Sequence, residues 1–373
     1  MSWRGEEGGI TAAKENHDVI MTPGTYCYLD HSQSKNEDSI TIGGYLPLEK
    51  VYGYEPIPPV LNAEQAKHVL GAQGNVWTEY MKNEKKVEYM IFPRMTALAE
   101  VLWSPKEKRN WKDFERRLPG TFRQYNLWGA NYSNAFSDLQ TTILPTNNYN
   151  GILLNLETKN KEGNIIYIKG PTRNATFNYT KPILITTSGE YGAALTRKDH
   201  TFISNWSWQK ISFNKATGKK ITIVNPPSAS YPGNGTFTLV DGVQNEKGLS
   251  KSGEFLGFNG TDLDATIDLG KITDIKKVTL HVLEQPGSWI YLPVKVEITY
   301  LQSLDLPKDG TAERAKVNSI NIEQGKGLSV IQTTGQQSCR YIHVIAKNSG
   351  IISQGNAGAG NPAWLFVDEI EVE

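Results

Sequence analysis

Aromatic and acidic side chains follow short apolar runs at three places near the start of the chain. These places are Met1-Ser-Trp-Arg-Gly5, Tyr26-Cys-Tyr-Leu-Asp30 and Gly74-Asn-Val-Trp-Thr-Glu79. Trp3, Tyr28 and Trp77 supply flat apolar rings, and Asp30 and Glu79 supply carboxylates that accept hydrogen bonds. A sugar presents apolar C–H patches to rings and directional hydroxyls to carboxylates. The residue types therefore predict a carbohydrate-binding pocket.

The elements that would position these residues alternate between strand and helix signals over residues 1–128. His17-Asp-Val-Ile-Met-Thr-Pro23 is a brief apolar run stopped by proline, as in a buried parallel strand. In (β/α)8 barrels the active site lies at the carboxyl ends of such strands. Two strand–loop–helix units cannot close a sheet, because a barrel needs eight of them in about 250 residues. We therefore expect the end of a TIM barrel whose start lies upstream.

Caps and prolines mark the helix boundaries. Asn62, with Gln65 three residues on, forms a capping-box pattern that predicts a helix through Val69. Helical spacing of apolar residues over 87–102 predicts a helix that breaks at Pro93. Asn110 is placed to cap the next helix. The spacing also predicts three core tryptophans, Trp103, Trp111 and Trp128.

Beyond about Asn131 the pattern changes to short alternating runs between turn residues, which indicates all-β structure. The predicted strands include Gly151–Leu156, Asn164–Ile168, Pro182–Thr186 and Lys219–Val224. The Pro-, Gly- and Ser-rich stretch Asn225–Gly235 predicts a linker or rigid loop. The fold class is thus multidomain α/β plus all-β, with a partial barrel over 1–128, a small β-sandwich domain over 129–226 and a jelly-roll-like β-sandwich over 227–373.

Composition narrows the function classes. The 373 residues carry 39 Lys+Arg against 39 Asp+Glu, and a neutral chain does not favour nucleic acid as the partner. No apolar stretch approaches the roughly 20 residues of a transmembrane helix. Cys27 and Cys339 provide no disulfide framework, and the 6 histidines show no metal-ligand spacing. We expect no metal ligands at the pocket and no organic cofactor.

The three stretches belong to a longer series of motifs that resembles a known family. The series resembles the carboxyl-terminal part of the catalytic barrel of glycoside hydrolase family 20, the β-N-acetylhexosaminidases. The further motifs are Asp18-Val-Ile-Met-Thr-Pro23, Gly43-Gly-Tyr-Leu-Pro-Leu-Glu49 and Phe92-Pro-Arg-Met-Thr-Ala-Leu-Ala-Glu-Val-Leu-Trp-Ser104. The middle segment is similar to the small β-domain that follows such barrels in bacterial enzymes. The last segment resembles a discoidin-type (coagulation factor 5/8 C-type) sandwich, which often binds glycans.

The resemblance implies retaining hydrolysis of terminal β-linked GlcNAc or GalNAc without an enzyme nucleophile, since the substrate's own 2-acetamido oxygen attacks C1. By the same resemblance, Tyr28 would hold the acetamido oxygen and Trp3 and Trp77 would enclose the acetamido group and sugar face. Asp30 and Glu79 would bind the distal hydroxyls O4 and O6. A discoidin-type domain can also hold a structural calcium, for which Asp241 and Glu369 are candidates without a specific loop pattern. Export to the periplasm, cell surface or medium is expected from the family.

The family's adjacent Asp-Glu pair, which contains the general acid, is missing from the pocket motifs. The only Asp-Glu dipeptide, Asp368-Glu369, falls inside the last predicted strand. We therefore expect the chain alone to be inactive, because loss of the acid costs about 10²–10⁴ in rate. A non-catalytic glycan-binding protein that uses its β-domains is the alternative. The alternative role of Trp3 and Trp77 is core packing, and that of Asp30 and Glu79 is helix capping. Three aromatic residues of the last segment suit either a glycan-stacking surface or the core: Trp289, Tyr291 and Trp364.

Overall fold

The computed structural model describes residues 1–34, 41, 44–169, 175–304, 313–316, 319–322 and 327–373, so Gly43 of the quoted motif lies outside the described residues. The chain divides into two compact units. The first comprises Met1–Asp138, Thr158–Gly163 and Leu195–Asn205, and the second comprises Leu139–Glu157, Asn164–Ala194 and Trp206–Glu373. No helix in the described ranges is long and apolar enough to cross a bilayer.

The first unit is α/β, as predicted. Its two strands pair in parallel, with Val19 opposite Val69. Val19 and Met21 face a core that also contains Leu98 and Leu118 of two helices. The elements are β1 (Val19–Met21), β2 (Val69–Ala72), α1 (Glu7–Lys14), α2 (Gly24–Cys27), α3 (Leu48–Tyr52), α4 (Ala63–Ala66), α5 (Glu84–Ile91), α6 (Arg94–Trp103) and α7 (Trp111–Trp128).

Local capping signals are confirmed, although one helix is shorter than predicted. Asn62 and Gln65 form the capping box, but α4 ends at Ala66. The predicted extension through Val69 is wrong because Val69 instead begins β2 and pairs with β1. The main chain there satisfies its hydrogen bonds in a ladder rather than in a helix.

The helices after β2 begin and end where the pattern places them. Pro93 separates α5 from α6, and the Asn110 side chain accepts from the Asp113 N–H at the start of α7. Trp111 packs near the core against Phe114. The prediction that the other two tryptophans are buried is wrong, because Trp103 is 90% exposed and Trp128 is 66% exposed. Both are the last residues of their helices, where the buried stripe has already ended.

One face of the small parallel sheet is uncovered. Ile20 is 37% exposed and Leu70 is 65% exposed, while their neighbours Val19, Met21 and Val69 are buried. Side chains alternate between the two faces of a strand, so the helices cover one face and leave the apolar residues of the other at the surface.

The second unit begins with a small β-sandwich. Ile152 and Ile185 of one sheet share a core with Tyr191 and Ile211 of the other. The strand predictions over this part are confirmed to within one or two residues at each end. The sheets run β3-β4-β7 and β6-β5-β8-β9. The strands are β3 (Gln140–Pro145), β4 (Ile152–Glu157), β5 (Asn164–Lys169), β6 (Phe177–Asn178), β7 (Ile183–Ile185), β8 (Gly189–Thr196) and β9 (Ser207–Ile211).

An 8-stranded sheet forms the rest of the second unit. Its path is β12-β18-β13-β17-β14-β15, with β10 on β13 and β16 on β17. The two longest strands, β13 and β17, pair along most of their length with breaks in register. Lys220–Ile223, on the N-terminal side of the predicted boundary at 226, pairs with β13. The elements are β10 (Lys220–Ile223), β11 (Gly233–Thr236), β12 (Leu256–Asn259), β13 (Leu263–Leu283), β14 (Lys295–Leu301), β15 (Glu313–Lys316), β16 (Ser319–Ile322), β17 (Leu328–Lys347) and β18 (Trp364–Val372).

Candidate active site

Three parallel segments end side by side in the first unit. Ser2 forms a parallel bridge with Met21, the last residue of β1. The Gln73 N–H, directly after β2, donates to the Met21 carbonyl at 3.1 Å. The carboxyl ends of the Met1–Trp3 segment, β1 and β2 therefore meet at one edge, as the sequence requires for a common site.

Gly24 brings the first two pocket residues together. Its N–H donates to the Trp3 carbonyl at 3.1 Å. A Cβ built on Gly24 would lie 3.6 Å from the Tyr28 ring and 3.7 Å from the Trp3 carbonyl oxygen. The backbone of Trp3 and the ring of Tyr28 thus flank the same glycine.

Tyr28 is joined to the third stretch by main-chain bonds and by its ring. The Leu29 N–H donates to the Asn75 carbonyl at 2.8 Å, and the Asn75 N–H donates to the Cys27 carbonyl at 2.7 Å. The Tyr28 and Trp77 rings meet edge to face, with centroids 6.3 Å apart and planes at 60°. These main-chain bonds therefore hold Tyr28 beside the carboxyl end of β2, with its ring against that of Trp77.

The two pocket tryptophans are open to solvent. Trp3 is 52% exposed and Trp77 is 56% exposed, whereas Tyr28 is half-buried. Rings that filled a core would lose most of their exposed surface. Both indoles are thus partly open to solvent, and the Arg4 guanidinium carbon lies over the Trp3 ring at 4.7 Å from its centroid.

Asp30 is a buried carboxylate with an unused acceptor. The residue is 6% exposed, and its Oδ1 has no hydrogen-bond partner in the described part of the chain. Burial raises the pKa of Asp30, while the positive charges of His31 and Arg94 act in the opposite direction. A buried polar atom without a partner is costly, and the hydroxyls of a sugar are donors that would satisfy it.

Glu79 is placed differently. It is exposed, two residues after Trp77, in a turn at the end of the third stretch. Its carboxylate makes no hydrogen bond or ion pair with any residue that the structure describes. The structure places the Tyr28 and Trp77 rings in contact and the Trp3 main chain next to Gly24. The substrate-binding roles of Trp3, Tyr28, Asp30, Trp77 and Glu79 stay predictions.

Sequence reasoning missed two polar groups that shape this edge. Asn75 is 8% exposed, and its Oδ1 accepts from Gln73 Nε2 at 2.9 Å. Arg94, at the start of α6, is 0% exposed. Both residues lie within the motifs quoted above. A polar or charged residue inside an apolar run was the only sign in the sequence that these side chains would be buried.

A cluster of buried acids occurs elsewhere, in the second unit. Asp241, Asp368 and Glu369 are 4%, 1% and 0% exposed. The Asn245 N–H donates to Asp368 Oδ2 at 2.7 Å, while Asp368 Oδ1 has no partner among the described residues. Burial raises the pKa of all three acids, and the repulsion of neighbouring carboxylates adds to the rise. The pKa of Asp368 reaches about 7.

These acids allow a test of the calcium implied by the discoidin-type resemblance. Carboxylate oxygens are ligands that Ca²⁺ prefers, and the free Oδ1 of Asp368 is an acceptor that a cation would satisfy. Yet no group of three or more His, Cys, Asp or Glu side chains within the described ranges is arranged to hold a metal ion. The acids fit Ca²⁺ only if main-chain oxygens complete the ligand set.

The three aromatic candidates of the last β-domain have different surroundings. Trp364 packs against the Tyr231 and Phe366 rings, at centroid distances of 5.2 and 5.8 Å. Tyr291 Oη donates to the Ala357 carbonyl at 2.8 Å. Trp289 is 40% exposed, with its indole against Gly358. Trp364 is therefore half-buried and packs against a core cluster, and Trp289 lies at the surface.

Comparison with known proteins finds similarities to the first part of the chain. Residues 1–106 match the catalytic domain of glycosyl hydrolase family 20. This stretch is therefore similar to part of the catalytic domain of that family. The chain is similar to a beta-hexosaminidase of Porphyromonas gingivalis, with 48% identity over 134 residues, which cover 35% of this chain and 17% of the relative.

Two further similarities each cover about a third of the chain or less. A beta-hexosaminidase of Vibrio furnissii is 39% identical over 101 residues, which cover 26% of this chain and 16% of that protein. A solved GH20 exo beta-N-acetylglucosaminidase from Vibrio harveyi in complex with N-acetylglucosamine shows 38% identity and a TM-score of 0.33, covering 35% of this chain and 21% of that one. The chain thus matches about a sixth of the length of the two curated relatives.

Proposed function

We propose that this chain supplies the sugar-binding half of an exo-β-N-acetylhexosaminidase site that removes terminal GlcNAc or GalNAc from glycans. The observation that carries the proposal is the meeting of Tyr28 and Trp77 rings beside Asp30, whose buried Oδ1 has no partner within the described residues. The family match of residues 1–106 supports the same activity. Since glycan substrates of this kind occur outside the cytoplasm, we place the protein in the periplasm, at the cell surface or in the medium.

In the proposed reaction the substrate's acetamido oxygen attacks C1 while the bond from C1 to the leaving oxygen breaks. The Tyr28 hydroxyl donates to the acetamido oxygen and holds it under C1. Trp3 and Trp77 enclose the acetamido group and the sugar face. Water then opens the cyclic intermediate at C1, so the product keeps the β configuration.

Asp30 and Glu79 are proposed to bind the distal hydroxyls, O4 and O6. Asp30 suits this role because a hydroxyl donor would satisfy its buried acceptor. Glu79 approaches from the exposed turn after Trp77. A substrate without the matching hydroxyl would leave the Asp30 acceptor unpaired and should react more slowly.

The leaving oxygen also needs a proton, and we propose that its donor comes from another segment of polypeptide. The one Asp-Glu pair of the chain, Asp368-Glu369, lies in β18 of the second unit. Both residues are buried there among other acids. We therefore expect the 373-residue chain alone to bind the sugar without hydrolysing it.

A partial barrel is the architecture that we propose for the first unit. Its sheet has only two strands, and Ile20 and Leu70 expose the apolar face opposite the helices. A two-stranded sheet is marginal on its own, and an apolar face of this kind marks a surface that another element covers. The remaining β/α units of a barrel would pair with the sheet edges and bury that face.

The test is hydrolysis of an aryl β-N-acetylglucosaminide by the product of the full reading frame and by this chain alone. The full-length protein should hydrolyse the substrate with retention at C1, which ¹H NMR of the newly released sugar detects. A thiazoline mimic of the intermediate should inhibit the reaction. This chain alone should show no turnover. An inverted product, or turnover by the chain alone, would contradict the proposal.

A second candidate function, glycan binding by the second unit, is favoured by Trp289 and by a nearby cavity. We propose a discoidin-like domain whose exposed indole stacks on a sugar. A cavity of about 520 Å³ is lined in part by Lys247, Glu284 and Gln285, and the Gln285 N–H bonds to the Ile290 carbonyl next to Trp289. A glycan array on the wild type and on Trp289→Ala tests this, with loss of a signal in the variant as the expected result.

A further inference from the structure

Arg94 is a fully buried cation, 0% exposed, at the first position of α6. Its Nη2 donates to the Leu29 and Met90 carbonyls, both at 2.6 Å. Its Nη1 donates to the His31 and Leu46 carbonyls, both at 3.0 Å. One guanidinium group therefore holds four main-chain carbonyls from three separate segments.

Two of these carbonyls bracket Asp30. The Leu29 carbonyl belongs to the peptide group before Asp30, and the His31 carbonyl belongs to the residue after it. On the other side, the Leu29 N–H is held by Asn75 at 2.8 Å. The main chain around Asp30 is thus fixed from both directions, and the direction of its side chain follows from that main chain.

The charge of Arg94 acts on Asp30 as well. Burial raises the pKa of Asp30, and the nearby positive charges, including that of Arg94, oppose the rise. A carboxylate that accepts from a sugar hydroxyl must be ionised to bind strongly. Arg94 favours that ionised form without occupying the free Oδ1.

We infer that Arg94 is a positioning residue for substrate recognition, acting through Asp30. The inference rests on the proposed function, in which Asp30 binds a distal hydroxyl of the terminal sugar. Arg94 touches no substrate in this account. It aims the Asp30 carboxylate at that hydroxyl and keeps it ionised.

Lysine cannot replace arginine in this role. The guanidinium is a planar fork with two Nη groups, each of which reaches two carbonyls here. An ammonium is a single point with three donors and cannot reach both sides of the fork. Arg94→Lys therefore keeps the charge but releases part of the clamp.

The test first identifies the hydroxyl that Asp30 binds, by comparing 4-deoxy and 6-deoxy aryl substrates in wild type and Asp30→Asn. It then measures kcat/KM of the full reading-frame product on the complete aryl substrate and on the analogue that lacks this hydroxyl. Arg94→Lys should lower kcat/KM on the complete sugar about 10- to 100-fold. On the deoxy sugar it should change kcat/KM less than threefold.

Combined variants separate positioning from general damage. Arg94→Lys in the Asp30→Asn background should cause little further loss, because both changes remove the same contact. The matched control is Arg109→Lys, at a half-buried arginine of the first unit whose Nη1 donates to the Tyr54 carbonyl at 3.1 Å. This control should affect both substrates equally.

The inference would be overturned if Arg94→Lys lowered kcat/KM equally on both substrates, or if its effect added to that of Asp30→Asn. An inactive wild type would instead overturn the proposed function. If Arg94→Lys does not fold, hydrogen exchange at the Arg94 Nη groups of the wild type replaces it. A saturating thiazoline mimic should slow that exchange at least several-fold, because the ligand on Asp30 stabilises the clamped segment. Unchanged exchange with bound ligand would contradict the inference.

Discussion

Asp368→Asn should stabilise the second unit at neutral and alkaline pH. The Asp368 carboxyl is 1% exposed, and burial raises its pKa from the ordinary 3.8 to about 7. Glu254 contributes to the rise, and the positive charge of His281 opposes it. The folded protein therefore holds this proton more tightly than the unfolded chain does.

The sign and size of the effect follow from that difference. Well below pH 3.8 both states carry the proton, so Asp368 costs nothing. Between about pH 4 and pH 7 the unfolded chain ionises while the folded protein resists, so the free energy of unfolding falls as pH rises. At about 1.4 kcal/mol per pH unit, the loss amounts to about 4 kcal/mol above pH 7. Asparagine keeps the oxygen that accepts from the Asn245 N–H and removes the ionisation.

The assay is urea unfolding in EDTA at pH values from 4 to 8, monitored by the near-ultraviolet circular dichroism of the aromatic residues. The difference between Asp368→Asn and wild type should grow from near zero at pH 4 to several kcal/mol at pH 8. Asp274→Asn, which removes an exposed carboxylate from the same domain, serves as the control. A variant less stable than wild type at pH 8, or a difference independent of pH, would refute the reasoning.

The remaining predictions concern the two candidate sites and the calcium question. Tyr28→Phe in the full reading-frame product should lower kcat about 10²–10³-fold with little change in KM, because the lost hydrogen bond strengthens as charge develops; an unchanged kcat in steady-state assays would contradict this. Gly358→Ala should destabilise the second unit by about 1–3 kcal/mol and shift tryptophan fluorescence, since the new Cβ would lie 2.5 Å from Trp289 Cδ1. The control is Gly355→Ala, at a position that also has a positive φ but has open space around it, and this change should leave the fluorescence unchanged. If main-chain oxygens complete a calcium site at the acid cluster, millimolar calcium should raise the thermal unfolding midpoint at pH 8 for wild type but not for Glu369→Gln. Equal midpoint shifts in both proteins, or no shift in either, would exclude a calcium site there.

Local patterns predicted much of the secondary structure. The Asn62 capping box, the break at Pro93 and the Asn110 cap depend on residues within one helical turn of each other, and all are present. Alternation of apolar residues located the strands of the small sandwich for the same reason. Val69 was assigned to the wrong element because its partner, Val19, is 50 residues away.

The candidate site was predictable in its residue types but not in its geometry. The three motifs identified Trp3, Tyr28 and Trp77, and parallel pairing explains why the segments that carry them end side by side. The buried Asp30 acceptor and the Arg94 clamp depend on contacts between segments more than 60 residues apart, such as the Arg94 bond to the Leu29 carbonyl. No periodicity in the sequence reports such contacts. In the acid cluster of the second unit, Asp241 and Glu369 were named only through the discoidin-type resemblance, and the approach of Asp368 to Asp241 appears only in the folded sheet.

The most direct test is the response of tryptophan indole signals to a sugar ligand in this chain. With ¹⁵N-labelled tryptophan, the thiazoline mimic of the intermediate should shift the indole N–H signals of Trp3 and Trp77, assigned by single substitutions. The signal of Trp103, 90% exposed at the end of α6, should not move. Unchanged Trp3 and Trp77 signals at saturating ligand, or equal shifts of all three, would contradict a sugar pocket formed by these residues.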